Sequence, residues 1–479
     1  MKMTGGRAFP GGGRRRLPGG SARRRVRVVV AAAIAVVCAA LLTGAAAAPA
    51  AAARAGATRV RWGRAEGLRG NPEVSGSSGL GQDVTVSSLS CWSVNNCAAG
   101  GTFTVPAPNF SGVKFRDFVV VERNGRWGRA EQLPGIPKYR DSRVSTVSCA
   151  AGGYCVAGGL AYLGPPGDTV GRAFVATLKH GRWQAAVAVR IPTVPGNGGS
   201  ISSVSCLAAR RCVAAGNSDL GAFVTWQLNG VWRQPALLFA GLGGGSTSLS
   251  CWSARSCVAA RWLTVTELHG VWGTAEVIPG VTRPVATSVS CAPDGYCAVG
   301  GYYPPPTQST TGEFVATGRN GTWGTAVTWP GLTPSVVAVS CQSAGNCTAA
   351  GVQGPGMMGG PGWVVSQKNG VWGTPEPLPG TGTRVAITAL SCWSASNCAV
   401  GGSYLPAPGR RIEPFVASET NGRWSAPEPV PGITALNKHG SYINPSTVAA
   451  VSCPSARRCT AAGSYTDAKQ RYLPFVTGP

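Results

Sequence analysis

From Val84 to the C-terminus, short apolar runs alternate with breaks rich in Gly, Pro, Asn and Ser, and one order of runs recurs eight times. The first run of each copy ends in Val or Leu, then Ser, then Cys, as in Val84-Thr85-Val86-Ser87-Ser88-Leu89-Ser90-Cys91. Its partial period of two is that of a half-buried strand, here strand a. A second Cys lies six positions on and opens strand b, a run of small residues closing on Gly, such as Cys155-Val156-Ala157-Gly158-Gly159. In the fourth copy Arg261 replaces that Gly. Strand c is continuously apolar, as in Phe118-Val119-Val120-Val121 and Phe314-Val315-Ala316-Thr317. It runs into Asn-Gly or His-Gly and then a Trp on strand d, as in Asn124-Gly125-Arg126-Trp127. Asn-Gly between two strand-like runs marks a hairpin, because both turn residues need positive φ. Strand d often ends in Pro-Gly, at residues 134–135, 279–280, 330–331, 379–380 and 431–432, the signature of a type II turn.

Four strands in each repeat of 40–61 residues predict the blade of a β-propeller. The two ends complete the count. The eighth copy reaches strand c at Tyr472-Leu473-Pro474-Phe475-Val476-Thr477 and stops without turn, Trp or strand d. The missing strand is found at the other end, where Arg61-Trp62-Gly63-Arg64-Ala65-Glu66 repeats Arg126-Trp127-Gly128-Arg129-Ala130-Glu131. The expectation is therefore an all-β, eight-bladed propeller spanning residues 51–479, with residues 59–68 completing the last blade. Closure removes the open sheet edges that a linear array would leave.

The cysteines add staples. Cys91/Cys97, Cys149/Cys155, Cys206/Cys212, Cys251/Cys257, Cys291/Cys297, Cys341/Cys347, Cys392/Cys398 and Cys453/Cys459 read as one disulfide per blade across the a–b hairpin. The spacing is too long for a zinc site, and the three histidines supply no partner set. His180 and His269 occupy the Asn position of the hairpin turn and are expected to be turn residues. The remaining Cys38 falls in an apolar run, Val28–Leu42, that follows nine Lys or Arg and precedes an Ala-rich stretch. That order predicts an export signal over residues 1–50, with a retained N-terminal membrane anchor as the alternative. Removing it lowers the net charge from +25 to +16. A chain this cationic suits an anionic partner, such as a cell-wall polymer, an acidic glycan or a surface protein. Export argues against a specific nucleic-acid partner, and a closed ring predicts a monomer.

The strand order sorts the loops. The a–b and c–d turns share one uniform face, which therefore carries the disulfide staples. The b–c and d–a loops share the other and vary in length, and the b–c loop of blade 4 is nearly absent. Variable loops on a rigid scaffold are where recognition is usually placed. The candidate binding residues there are Phe115, Arg116, Tyr139, Arg140, Tyr302, Tyr303, Tyr404, Arg410, Arg411, Tyr442, Tyr465 and Tyr472. No residue is assigned to catalysis, a metal or a cofactor. The chain has no nucleophile elbow, no phosphate loop and no His-Glu-x-x-His. Five of its eleven Glu, residues 66, 131, 276, 376 and 428, recur at one strand-d position and read as surface positions.

Two resemblances follow from these motifs. Asn320-Gly321-Thr322-Trp323 resembles a reduced Asp-box turn of sialidase-type propellers, with the Asp missing from every copy. The Ser-Cys-x5-Cys unit with its later Gly-x-Trp resembles Cys-paired repeats in secreted proteins of high-GC Gram-positive bacteria, a group without an assigned activity. The first resemblance implies a glycoside-active enzyme as one alternative and needs two carboxyl groups about 5–10 Å apart on the loop face. The second implies compartment and fold. The expected function is a non-catalytic extracellular binding propeller, with a structural envelope protein as the other alternative.

Overall fold

The computed structural model describes residues 60–70, 83–106, 113–137, 140–163, 170–191, 198–240, 245–304, 311–329, 334–353, 360–380, 384–407, 410–439 and 445–478. The export-signal expectation for residues 1–50 lies outside them. Residues 57–479 form one compact unit. It is an eight-bladed propeller in which each sheet runs a-b-c-d. Blade 1, for example, comprises Val84–Ser93, Asn96–Pro106, Val113–Arg123 and Arg126–Trp127. Blade 4 is the short one, with strands Ser248–Ser253, Ser256–Ala260 and Thr264–Leu268 joined at the b–c end by three residues.

All eight predicted disulfides are present: Cys91–Cys97, Cys149–Cys155, Cys206–Cys212, Cys251–Cys257, Cys291–Cys297, Cys341–Cys347, Cys392–Cys398 and Cys453–Cys459. They tie hairpins of the uniform face, but from within the core. The second cysteine of each pair is core: Cys97, Cys155, Cys212, Cys257, Cys297, Cys347 and Cys398 are at most 2% exposed, and Cys459 is 6% exposed. The reason is that strand b is flanked by strands a and c in its own sheet and covered on both faces by neighbouring blades. Each of these cysteines consequently packs in a seam, as Cys97 does with Val86 and Phe118, and Cys398 with Ile387 and Phe415.

The a–b hairpins hydrogen-bond to the c–d turns of the same blade, as in Gly125 N–H to Asn95 O at 2.9 Å and Gly270 N–H to Arg255 O at 2.7 Å. That places both sets of turns on one face. His180 (φ 47°) and His269 (φ 54°) are turn residues like Asn124 (φ 49°), followed by glycines that also have positive φ.

The ring closes through the N-terminal strand, but with a mixed pairing that the repeat alone does not foretell. Ala65–Gly67 pairs antiparallel with Phe475–Thr477, as a strand d should. Arg61 and Trp62 instead pair in parallel with Arg458 and Cys459 of strand b. Strand c of blade 8 ends before it reaches that level, so the incoming strand fills its place.

The core is a ring of seams between blades, not one central cluster. In the seam between blades 1 and 2, Ala98, Val119 and Leu133 meet Val144, Phe174 and Trp183. A bulge in strand a explains the recurring Gly of strand b. It brings a strand-a carbonyl so close that a Cβ at Gly101 would lie 2.0 Å from Thr85 O, and one at Gly402 would lie 1.9 Å from Ala386 O. The buried ring of Phe118 or Phe415 covers the same Gly.

The Ser before each first Cys has a structural task. Its hydroxyl accepts the N–H of the next blade's Cys: Ser90 from Cys149, Ser148 from Cys206, Ser205 from Cys251, Ser250 from Cys291, Ser290 from Cys341, Ser340 from Cys392 and Ser391 from Cys453, at 3.0–3.2 Å. Cys91 N–H to Ser452 Oγ at 3.1 Å closes the circle. Leaving one such N–H without its acceptor costs about 1–2 kcal/mol. Ser452→Ala should therefore lower stability in urea by as much as Ser205→Ala. A silent Ser452→Ala beside a costly Ser205→Ala would mean that the closing seam is not built like the others.

A coarser period overlies the blades. Blades 1, 4 and 7 carry Cys-Trp (Trp92, Trp252, Trp393), and blades 2 and 5 carry Gly-Tyr-Cys (Tyr154, Tyr296). A Cβ on Gly153 would touch Trp92 at 3.3 Å, and one on Gly295 would touch Trp252 at 3.1 Å. Tyr154 O–H then donates to Gln227 of blade 3, and Gln367 of blade 6 donates to Tyr296 Oη, both at 2.9 Å. Blades 1–3 and 4–6 are thus coupled as matched triplets.

Candidate binding site

On the loop face the candidates do not converge. Phe115 and Arg140 meet at the blade 1–2 corner, where Phe115 N–H donates to Asp141 and the Arg143 guanidinium lies 3.7 Å from the Phe115 ring centroid. Arg140 lies 5.9 Å over Tyr162, a cation–aromatic approach at the edge of its useful range. Arg116 is buried and donates to the Arg140 carbonyl, so it holds the corner together and does not face solvent. Tyr465 is also buried, and Tyr472 donates to Pro445 O. Tyr404 packs edge-on against Phe415, centroids 5.7 Å apart, and Arg411 is paired with Glu413 at 3.1 Å. Burial lifts the Tyr404 and Tyr472 hydroxyls to about 12. Tyr302 and Tyr303 are half-buried at the top of blade 5, and Arg410 is exposed on blade 7. Tyr139 and Tyr442 lie outside the described residues. The second cysteine of each bridge offers no contact surface of its own. Cys97, Cys155, Cys212, Cys257, Cys297, Cys347, Cys398 and Cys459 are all buried, so the bridges fasten the hairpins from inside the seams.

The loop-face acids are equally scattered. Asp117 (blade 1) is fully buried, accepts Ser142 Oγ–H at 2.6 Å and Leu133 N–H at 2.9 Å, and has its carboxyl pushed up by burial. Glu313 holds the equivalent place in blade 5. It is 1% exposed, neither oxygen has a hydrogen-bond partner, and burial lifts it to about 8. The strand register aligns Ser142 with Pro334, a residue type that carries no hydroxyl. Glu413 sits in blade 7, where its partner is Arg411. The five recurring strand-d glutamates are all exposed, as surface positions should be. Among the described residues, no group of three His, Cys, Asp or Glu is placed to hold a metal ion.

A different place breaks the pattern of the ring. At four outer seams a stitch joins strand d to the blade before it. Ala186 N–H donates to Pro134 O, Ala326 to Pro279, Ala65 to Pro431 and Ala130 to Arg69, at 2.7–2.8 Å. At the first three, the Pro-Gly turn of one blade covers the start of the next. Pro375 and Pro427 remove the donor in blades 6 and 7, where the Pro-Gly of the preceding blade is kept, but at the seam between blades 2 and 3 both halves of the stitch are gone. The acceptor turn is replaced by Arg190-Ile191, and the donor position is Pro235, which has no N–H. Two adjoining cavities of about 490 and 450 Å³ open there and share Val175, Val187 and Trp232 as lining. Arg190 and Arg233 flank the first, and Lys179 and Arg210 the second; all four are exposed, and no lining residue of either is acidic. Trp232 forms an apolar floor, together with the largely exposed Val187. The replacement of Pro-Gly by Arg190-Ile191 at the seventh position after the strand-d Trp is legible in the sequence, and with Pro235 it is the signal that marks this seam.

The chain matches no family model and no curated protein. It is similar in fold to solved structures. These include Sqt1 of Chaetomium thermophilum (12% identity, TM-score 0.49, covering 83% of this chain and 95% of that one) and YCF48 bound to D1 peptide (12% identity, TM-score 0.42, covering 87% and 95%). Another is an N11 neuraminidase-like protein of A/flat-faced bat/Peru/033/2010 (13% identity, TM-score 0.34, covering 58% and 85%).

Proposed function

We propose that this chain is an exported, non-catalytic binding propeller that holds an anionic extracellular or cell-wall polymer or protein. The observation that carries the reading is the unstitched seam between blades 2 and 3, an apolar groove with cations on both walls. Six acidic residues, Asp117, Glu122, Glu267, Glu313, Glu413 and Glu419, are buried, so the accessible surface is more cationic than the net charge implies. Eight disulfides support an oxidising compartment. Among the described residues no helix is long and apolar enough to cross a membrane. Residues 1–50 serve in this reading as the export signal. The loop-face corner around Phe115, Arg140 and Arg143 is a secondary contact, and Tyr302, Tyr303, Tyr404 and Arg410 line the rim beyond it.

The test is retention of the purified propeller on anionic glycan arrays, cell walls and acidic polypeptides. Binding at about 50 mM salt that falls steeply by about 300 mM is expected, because the contacts are exposed charges. No retention on any of these at the lower salt overturns the reading.

A further inference from the structure

We infer that the seam between blades 2 and 3 takes an extended acidic polypeptide segment, which adds as a strand to the open edge of blade 2. This rests on the binding reading above and names its ligand class. The edge is Val187–Ala188, the outer half of strand d. Val187 lies opposite Val175 and Ala188 opposite Phe174, while Val189 N–H donates to Ala173 O at 2.8 Å. Residues 187 and 189 thus turn their backbone groups inward, and alternation turns the N–H and C=O of Ala188 outward. Ala188 and Val187 both line the groove, so this outward pair stands at its lip.

A strand paired there presents alternate side chains to the groove, where Trp232 and Val187 offer apolar contact. Its backbone gives affinity and its alternate side chains give specificity, as in β-strand addition generally. The cations decide the charge of the guest. Arg190 and Arg233 lie at one cavity, and Lys179 and Arg210 at the other, with no acid among the described lining residues. A segment that alternates acidic and apolar residues matches both features. A bare polyanion matches the charge alone and leaves the edge of Ala188 and the Trp232 floor unused. Other outer strands also have free edges, but where a Pro-Gly turn supplies the stitch it folds over the start of the next strand d.

The probe is a labelled ten-residue peptide alternating Glu and Val, titrated against the full propeller by fluorescence anisotropy. Saturable binding is expected, weakened tenfold or more in Arg190→Glu/Arg233→Glu. Ala188→Pro removes the outward N–H of Val187–Ala188 and is expected to weaken binding at least tenfold while leaving the melting temperature in place, because proline is tolerated where an edge N–H faces solvent. A peptide N-methylated at alternate residues provides the same test without altering the protein, and it should bind at least tenfold more weakly. Equal binding of the methylated peptide overturns strand addition. Polyphosphate or heparin bound with loss in the arginine variant but no effect of Ala188→Pro overturns the peptide assignment and leaves the binding reading intact. Failure of every anionic probe removes both.

Discussion

Deleting residues 58–70 should convert a monodisperse propeller into a less stable, associating one. The segment contributes two paired stretches to blade 8, and Val60, Ala65 and Leu68 are each less than 9% exposed. Val60 and Ala65 belong to the seam between blades 7 and 8, and Leu68 to the seam between blades 8 and 1. At ~1–3 kcal/mol for each buried apolar side chain, with the half-buried Trp62 added, the direct loss is about 6 kcal/mol. Two stitches go with it, Ala65 to Pro431 and Ala130 to Arg69. Strand c of blade 8 then becomes an unpaired edge, a template for association with another chain. A fall in melting temperature of roughly 10 °C or more, with higher-order species by light scattering, is expected. Adding the peptide 58–70 should restore the monomer. A deletion variant as stable and monodisperse as the parent would sink the closed ring.

Much of this ring was legible in the sequence, because each device repeats. Asn124-Gly125 and its counterparts at the other c–d turns need positive φ, and that requirement is local. The blade split across the termini was legible because Arg61–Glu66 copies Arg126–Glu131 almost residue for residue. The parallel pairing of Trp62 with Cys459 was not, since it depends on where strand c of another segment runs out. The serine circle was hidden for a similar reason. Ser90 and Cys149 are 59 residues apart, and nothing in either residue names the other as its partner. The cysteine pairing could be read from spacing alone, yet the depth of Cys97 or Cys347 could not. It depends on which blades cover strand b. The binding candidates suffered most. Strand order puts these loops on one face, yet Arg116 and Tyr465 are buried: Arg116 holds the Arg140 carbonyl, and Tyr465 packs in the seam between blades 7 and 8. The seam between blades 2 and 3 is defined by what is missing, and an absence is weak in one copy. It becomes meaningful once Ala186 and Pro134 show what the missing pieces do elsewhere.

Stability should be greatest near pH 5 and fall as the solution becomes more alkaline, and Glu313→Gln should abolish a large share of that fall. Burial lifts Glu122 and Glu267 to about 7 and Glu313 to about 8, and it raises Glu419 as well. In the unfolded chain these carboxyls titrate near 4.5. Between those values the folded state keeps protons that the unfolded state has released. More protons bound in the folded state means that stability declines with rising pH. Each group contributes at most about 1.4 kcal/mol per pH unit within its own window. For Glu313 the window runs from about 4.5 to about 8, so the loss accumulates to roughly 3–5 kcal/mol at its upper end. Asp467 works in the opposite direction. Its bonds to Arg471 and neighbouring backbone hold its carboxyl below 3.8, so its stabilisation disappears only under more acidic conditions. Together these place the optimum between the two regimes. Glu313→Gln should have little effect at pH 5 and should raise stability by about 3 kcal/mol at pH 8, since the neutral amide need not ionise in a site with no partner. Melting curves of both proteins from about pH 4.5 to about pH 8.5 test this, spanning the window of the buried carboxyls. A gain from Glu313→Gln that is equal at pH 5 and pH 8 would show that the carboxyl is not held protonated between blades 5 and 6.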